Sequence, residues 1–414
     1  MNSTEKVFCF TVVVLLFQIT RNISTTIYIG VLFLSYTWLY ITHFYSYKSL
    51  SDINVNTYRP LTALFILSLM LIPPISMINM EMNEFLMAIP RFLVTFPFIL
   101  FCFLYKSHFS YKLIKQTSRI FCVFIALSAL SLPYQIFFGR ISFFATSGYR
   151  EGLERYASLA GSLTSLGTLG ALALVLLLFS DDILFGKIKK TLLIIVIMLG
   201  MFMSLQKAAV ANVIICFVAF VLINGKSSFI KRAIFAAVLC ISVYGTYFLF
   251  KETQFAIYIE SIFRYSLSDS SLGIEQDLLG RFWERPYTVI IYHDMDLLDY
   301  IFGIGLSSLS GTMGLPNLPM AHNNYFDLLF SGGILHFVSY LSLMIMIPLK
   351  VIVKKSKGIR LNIIDRSYSI IIFLLLINMT IGAGGYYQPI AAVIIFITIF
   401  SYDKVSNSIT IQNN

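Results

Sequence analysis

The chain has few charged residues for its length. Only 12% of its 414 residues are Asp, Glu, Lys or Arg, whereas 58% are hydrophobic. A soluble globular domain has roughly 25% charged residues, so this apolar excess is too large for one soluble core. Several apolar runs extend to roughly 20 residues, enough for a helix to cross a hydrocarbon layer of about 30 Å. The composition excludes an ordinary soluble domain and predicts that a bilayer covers most of the apolar surface.

Cysteine is scarce as well. The five cysteines stand in apolar segments and lack the spacing of metal ligands: Cys9, Cys102, Cys122, Cys216 and Cys240. This pattern predicts small buried side chains rather than a disulfide framework or a metal site. Carboxylates with ligand spacing are also missing, although ligands drawn from separate loops would not show in a sequence. We therefore predict neither a metal nor a cofactor.

The positive charge does not indicate nucleic-acid binding. Thirty lysines and arginines against twenty acids give a formal net charge of +10. The basic residues gather in short segments between apolar runs, where they set the orientation of a membrane protein. A nucleic-acid-binding protein would instead carry its basic surface on a soluble domain. We therefore expect membrane lipids, and no nucleic acid, as partners.

The apolar runs predict an all-α polytopic membrane protein with about twelve transmembrane helices. The predicted spans are 7–20, 24–42, 61–80, 85–105, 119–138, 158–180, 190–204, 207–224, 232–250, 323–349, 367–385 and 388–402. The basic loops between them are 106–119, 181–190, 224–232 and 350–366. Their regular alternation with poorly basic loops predicts that both termini lie in the cytoplasm. The first span lacks a small-residue cleavage site, so we expect it to be retained.

One long loop interrupts the short turns on the opposite side. Residues 251–320 hold nine of the twenty acids, together with aromatic and aliphatic residues that can anchor the segment. A loop of this length is usually functional or disordered, and the apolar anchors favour short amphipathic helices over disorder. The predicted organisation is a membrane domain over 1–250, a large periplasmic loop over 251–322, and a second membrane part over 323–414.

The residues where this loop meets the next helix could carry chemistry. Asn323 is a plausible N-cap, and Asp327 would lie in the first helical turn, where the helix dipole favours an anion. Gly332 and Gly333 would let another helix approach closely. His322 could serve as a general base, because a neutral imidazole accepts a hydroxyl proton near neutral pH. The alternative is that His322 only anchors the start of the helix.

Five cations are candidate ligands for phosphate. Arg281 stands in the loop near Trp283, which could hold the segment at the membrane interface. Lys207 begins an apolar helix on the outer face; the alternative is a lysine that snorkels to the headgroups. The other three are Arg91, which follows Pro90 inside a predicted span, and Arg150 and Arg155, which could instead pair with neighbouring acids.

At these residues the sequence resembles the O-antigen polymerase and O-antigen ligase superfamily. The strongest match is Ala321–Tyr325 with Gly332–Leu335, preceded by Phe302–Gly305, and the predicted topology extends the resemblance to nearly the whole chain. The resemblance implies a glycosyltransferase at the periplasmic face of the bacterial inner membrane. It also implies that the substrates are glycans carried on undecaprenyl diphosphate, that His322 is catalytic and that Arg281 binds diphosphate.

The resemblance favours a surface-polysaccharide polymerase over a ligase. Lys207 stands where ligases of the family usually have arginine, and lysine cannot make the bidentate contact of a guanidinium. Residues 149–162 resemble polymerase sequences ahead of a central helix. The alternatives are a ligase that transfers the polymer to lipid A-core, and a transporter of lipid-linked sugars. A chain-length regulator is a further partner that the sequence leaves open.

Overall fold

The computed structural model describes most of the chain. The described residues are 1–46, 59–144, 148–150, 153–163, 165–180, 184–204, 206–223, 280–309, 319, 321, 323–359, 361–380 and 385–412. Thirteen α-helices lie in these ranges: α1 Ser3–Leu16, α2 Thr25–Ser46, α3 Arg59–Asn79, α4 Met82–Tyr105, α5 Tyr111–Phe138, α6 Ser165–Phe179, α7 Lys187–Met203, α8 Lys207–Ile223, α9 Arg285–Tyr292, α10 Leu297–Phe302, α11 Asn324–Ser356, α12 Ile363–Met379 and α13 Pro389–Gln412.

Six of the described helices are long and apolar enough to cross a membrane: α2, α3, α4, α5, α11 and α13. This confirms the helical, membrane-embedded character that the composition predicts. The other predicted spans, apart from 232–250, coincide with shorter helices, so the count of twelve stays a prediction. The span predicted over 232–250 lies outside the described residues.

The segment before α6 corrects one part of the helical prediction. The predicted span 158–180 should be helical from its start, but the structure has turns there and α6 begins at Ser165. Gly161 adopts φ +108°, a conformation that ends a right-handed helix. Ahead of it, strands β1 (Gly148–Arg150) and β2 (Leu153–Arg155) form a short antiparallel hairpin within the otherwise helical fold.

The chain divides into two compact units. The first contains Met1–Phe121 and Leu278–Asn414, and the second contains Cys122–Asp277. In the second unit, every side chain of α6 is buried, as expected for a helix that is apolar on all sides. Helices α7 and α8 pack against it. The small size of Gly170 lets Met201 of α7 approach closely, because a Cβ there would lie 2.7 Å from the Met201 sulfur.

Two kinds of contact hold the first unit together: aromatic packing, and hydrogen bonds to a buried carboxylate. Phe8 of α1 contacts Phe98 and Phe101 of α4 at ring-centroid distances of 5.6 and 5.8 Å. Where α11, α12 and α13 meet, the buried carboxylate of Asp365 accepts hydrogen bonds from Lys354, Tyr402 and Ser406, at 2.8, 2.8 and 2.7 Å. A buried carboxylate with this many donors ties three helices to one another.

Short helices fill the described part of the long loop, as its apolar anchors predict. A π-helical turn over Gly280–Glu284 leads into α9, then α10, and a 3₁₀ turn follows over Gly305–Leu309. Helix α10 has a capping box, in which Asp296 accepts from the backbone N–H groups of Leu298 and Asp299 at 2.7 and 3.0 Å. Caps of this kind stabilise a helix that would otherwise be too short to persist.

Candidate functional site

The loop and α11 cross at glycine residues. Helix α11 is interrupted at Gly333, whose φ is +72°, and the chain after α10 turns at Gly303, whose φ is +85°. A Cβ on Gly333 would lie 2.0 Å from the carbonyl oxygen of Ile301, and one on Gly303 would lie 2.6 Å from the backbone nitrogen of Gly332. The close approach predicted for Gly332 and Gly333 is therefore confirmed.

Hydrogen bonds hold this crossing on two sides. The backbone N–H of Ile304 donates to the carbonyl oxygen of Phe330 in α11 at 2.6 Å. That carbonyl is available because the helical ladder is broken three residues later. On the other side, Leu306 N–H donates to the hydroxyl of Ser76 in α3 at 2.9 Å. Gly305, with φ +77°, also lies against Ser76. The loop segment is thus clamped between α3 and α11.

The first turn of α11 is polar and buried. Asn323 is the N-cap predicted from the sequence: its side chain accepts from the Tyr325 N–H at 3.0 Å, and the residue is fully buried. The side chain of Asn324 donates to Oδ2 of Asp327 at 3.0 Å. The second carboxylate oxygen of Asp327 is buried, and none of the described residues offers it a hydrogen-bond partner.

A second polar cluster lies one turn beyond the break in α11. The buried imidazole of His336 contacts the Ser68 hydroxyl through Nδ1 at 2.9 Å and the Tyr386 hydroxyl through Nε2 at 2.5 Å. Ser68 itself donates to the carbonyl oxygen of Phe65. Since that uses the one hydroxyl proton of Ser68, Nδ1 of His336 must donate and Nε2 must accept from Tyr386.

The sequence reasoning missed this cluster. The sequence did contain one signal for the cluster: His336 stands in the apolar part of a predicted span. An ionisable residue at that depth is a site candidate by default. Ser331, five residues before His336, is also paired, with the Tyr387 hydroxyl at 2.6 Å. Both tyrosines lie in the short connection before α13, which the sequence pattern left as a helix boundary.

Several predicted site residues fall at or beyond the edge of the described structure. His322 lies outside the described residues. Arg281 lies in the π-helical turn, Lys207 begins α8 and Arg150 ends β1, but the side chains of these three residues are not described. Their proximity to one another and to a substrate remains a prediction.

The side chains of Arg155 and Arg91 are described. Arg155 is half-buried in β2, and its Nε donates to the carbonyl oxygen of Ser204 at 3.4 Å. This contact brings the hairpin to the turn between α7 and α8. Ser204 lies three residues before Lys207, which begins α8. Arg91 is half-buried within α4, directly after Pro90, as predicted.

A second histidine of the loop region was not considered from the sequence. His293 follows α9 and is partly buried, and none of the described residues pairs with its Nε2. Burial lowers the pKa of His293 below its ordinary value, against the opposing influence of Asp299. Its imidazole is therefore neutral at pH 7, which suits a proton acceptor as well as a structural residue. It also provides a matched control for His322.

No protein-family model matches the chain, and no curated protein matches it. In the part of the chain that the structure describes, no group of three or more His, Cys, Asp or Glu side chains is placed to hold a metal ion. Of the five cysteines, the four that are described are buried free thiols, as predicted.

Proposed function

We propose that this protein is a membrane glycosyltransferase that extends a surface polysaccharide from units linked to undecaprenyl diphosphate. The observation that carries the proposal is the glycine crossing between residues 302–305 and 332–333. The two sequence patterns belong to the family resemblance and lie about thirty residues apart in the chain, and here they are in backbone contact. Both patterns therefore contribute to one structural feature, the contact between the loop and α11.

The crossing supports a site at the start of α11. It clamps the helix whose buried N-cap, Asn323, follows His322 directly. The same crossing holds α10 against α11 and α3, and Val289 of α9, the helix that follows the turn with Arg281, packs with Ile304 and Phe330. A base and a phosphate-binding cation carried on two clamped segments could be preorganised, and preorganised charges in a water-poor site stabilise a transition state better than mobile ones.

The proposed reaction is a single displacement at the anomeric carbon. His322 takes the proton of an acceptor hydroxyl, whose oxygen forms the new glycosidic bond. The bond between the anomeric carbon and the diphosphate oxygen breaks, and undecaprenyl diphosphate leaves with both electrons. Arg281 and Lys207 neutralise the leaving diphosphate, with Arg150, Arg155 and Arg91 as further cations and Asn323 fixing the first turn. Direct attack inverts the anomeric configuration.

The lipid anchors of both substrates assist this reaction. A growing glycan on one lipid is the donor, and a single lipid-linked unit is the acceptor. Because both are confined to one leaflet, their effective concentration at the site exceeds their average concentration in the cell. The active face is proposed to be periplasmic, with both termini in the cytoplasm, in the inner membrane of a bacterium.

Deletion of the gene followed by a glycan gel tests the proposal. Loss of a polymerase leaves lipid A-core with one repeat unit. Loss of a ligase instead leaves bare core and accumulated undecaprenyl-linked polymer, and loss of a transporter leaves lipid-linked units facing the cytoplasm. Either of the last two patterns would contradict the polymerase and identify the alternative.

Histidine substitutions test the site. His322→Ala should abolish polymer while the protein remains in the membrane at normal levels, because acid–base catalysis contributes roughly a hundredfold to ten-thousandfold. His293→Ala is the matched control and should retain polymer. Full polymer synthesis by the His322 variant would remove His322 from the chemistry, and loss of polymer only in the His293 variant would move the base to α9.

A further inference from the structure

Two buried oxygens in the first turn of α11 lack a hydrogen-bond donor. Nδ2 of Asn324 donates to Oδ2 of Asp327 at 3.0 Å. The remaining oxygen of each group, Oδ1 of Asn324 and Oδ1 of Asp327, is buried, and none of the described residues donates to either. An amide oxygen and an ionised carboxylate can only accept hydrogen bonds. What is missing at this pair is therefore a donor or a cation.

A second buried aspartate in the same unit has the surroundings of an ionised carboxylate. Asp365 is 1% exposed and Asp327 is 4% exposed. Asp365 pairs with the ammonium group of Lys354 at 2.8 Å, and two hydroxyl groups also donate to it. Among the described residues, no lysine or arginine pairs with Asp327, and its donor is the neutral amide of Asn324. An ionised Asp327 would thus be a buried charge without a counter-ion, which is costly in a protein interior.

The titratable side chains that the described contacts place beside this turn are tyrosines. The hydroxyl of Tyr387, from the connection before α13, contacts Ser331 at 2.6 Å, one helical turn after Asp327. Tyr325 lies on α11 itself, and its hydroxyl donates to the carbonyl oxygen of Leu376 in α12 at 2.7 Å. Phenols are neutral at pH 7, so these groups do not supply the positive charge that an ionised Asp327 would need.

From these contacts we propose that Asp327 is a proton-binding site. Its carboxyl group is neutral in the folded protein at pH 7, and its proton is donated from Oδ1 to Oδ1 of Asn324. Together with the bond that Asn324 donates to Oδ2, the acid and the amide form a closed pair with two hydrogen bonds. A calcium or magnesium ion needs roughly six or more oxygen ligands, whereas one proton satisfies both buried oxygens at once.

The bound proton fastens the first turn of α11 to its neighbours. The Asn324 amide packs against Gly385 of the connection before α13, where a Cβ would lie 2.8 Å from Nδ2. Without the proton, the negative carboxylate and the amide oxygen repel each other in this closed space. The turn directly follows Asn323, the N-cap of the helix, so the proton stabilises the start of α11. This inference uses the described contacts alone and does not depend on the proposed glycosyl transfer.

Infrared spectroscopy of the full-length protein tests the protonation state directly. The protein is held in a maltoside detergent, which has no carbonyl group of its own. A neutral carboxyl group has a carbonyl stretching band that is separate from the bands of amides and carboxylates and that shifts in heavy water. We expect this band at pH 7 in the wild-type protein, and the Asp327→Asn variant should lose the intensity of one carboxyl group. Equal intensity in both proteins would overturn the inference.

Thermal unfolding gives an independent measurement, with Asp365→Asn as the matched control. The new amide in Asp327→Asn can form the same two hydrogen bonds with Asn324, so the unfolding midpoint should stay within about 2 °C of the wild-type value. Asp365→Asn removes the charge that faces Lys354 and should lower the midpoint by roughly 5 °C or more. If Asp327→Asn lowers the midpoint as much as Asp365→Asn, or does not fold, then Asp327 is ionised and the inference fails.

The pH dependence of the midpoint separates a proton from a metal cation. An unfolded aspartate releases its proton near about pH 4. Above that pH the folded protein holds one proton more than the unfolded chain, so its stability falls as the pH rises. Between about pH 6 and about pH 9 we therefore expect a steeper fall in the wild-type protein than in Asp327→Asn. Exchange of choline chloride for sodium chloride should alter neither midpoint. Stabilisation by sodium in the wild-type protein alone would refute the proton and indicate a bound cation.

Discussion

His336 illustrates how a single buried polar residue can organise the surrounding helices. Its two ring nitrogens join α11 to Ser68 of α3 and to Tyr386 before α13, and the ring of Phe65 stacks on it with centroids 5.3 Å apart. Buried polar groups cost free energy unless they are fully hydrogen-bonded. Here both nitrogens are satisfied, so the imidazole can stabilise the fold without carrying a charge.

We predict that His336→Ala lowers the free energy of unfolding by about 2–4 kcal/mol. The variant leaves the Tyr386 hydroxyl without its acceptor and the Ser68 hydroxyl without its donor, and it opens a cavity beside Phe65. Thermal unfolding of the detergent-solubilised protein measures the change. Ser68→Ala and Tyr386→Phe each remove one bond and should cost less. If all three variants unfold like the wild-type protein, the cluster does not stabilise the fold.

At the scale of secondary-structure elements, the glycine crossing joins the end of α10 to α11. The break in α11 and the turn after α10 depend on each other: Gly333 leaves room for the Ile301 carbonyl, and Gly303 leaves room for the backbone of Ser331 and Gly332. Both glycines have a positive φ, a backbone conformation that residues other than glycine rarely adopt. Any larger residue therefore meets both a steric and a conformational penalty.

Gly333→Ala should destabilise the protein by more than about 2 kcal/mol and abolish polymer synthesis, since the loop can no longer seat on α11. Gly30→Ala is a suitable control, because no atom lies within 4 Å of a Cβ there and the site is helical. Alanine at that position should be neutral or slightly stabilising. A stable and active Gly333 variant would show that the crossing is not required.

Helix α9 has an exposed aromatic face. Trp283 and Tyr287 stack with ring centroids 6.4 Å apart, and they remain 69% and 54% exposed. Ile291 continues the same side of the helix, whereas Pro286 and Val289 are buried on the other side. Tryptophan and tyrosine favour the boundary between headgroups and hydrocarbon, so this face suits the membrane interface predicted for Trp283.

Fluorescence quenching tests the depth of this helix. The chain has two tryptophans, Trp38 and Trp283, and Trp38 lies on the exposed side of α2. In a Trp38→Phe variant we expect lipids brominated near the headgroup to quench Trp283 more than lipids brominated deep in the chain. The Trp283→Phe variant, in which Trp38 remains, should show the opposite order. Emission from Trp283 that neither lipid quenches would place α9 away from the bilayer.

The charge of the loops predicts how the protein is oriented in the membrane. The basic loops alternate with poorly basic ones, which predicts that the loops around residues 112, 189, 228 and 357 lie in the cytoplasm, and that residue 300 lies outside it. Fusion reporters check this at each position: alkaline phosphatase should be active at residue 300, and green fluorescent protein at the four loops. An active phosphatase fusion at residue 112, or an inactive one at residue 300, would contradict the orientation and the proposed chemistry together.

At this scale, the chain forms two compact units, and the first of them is not continuous in sequence. The first unit combines both ends of the chain, and the boundary falls within α5, between Phe121 and Cys122. A hydropathy pattern locates helices along the chain but does not say which of them gather together. Specific contacts join the helices of the first unit, such as the hydrogen bonds that Asp365 of α12 accepts from residues of α11 and α13.

The sequence by itself determined the class of protein and many local features. The long apolar segments predicted helices at the places where the structure describes them. Asn323 could be predicted as an N-cap because capping is a local interaction. Likewise, adjacent glycines predicted a close approach. The hairpin at Gly148–Arg155 was missed, because its strands are only three residues long and lack an alternating pattern.

Only the tertiary structure decided which segments meet. It showed that Gly333 faces Ile301 and that His336 joins Ser68 to Tyr386. These contacts link residues from 32 to 268 positions apart in the chain. Hydropathy and capping depend on neighbours within a few residues, whereas such contacts depend on how whole helices pack, and a single sequence does not encode that packing in any local pattern.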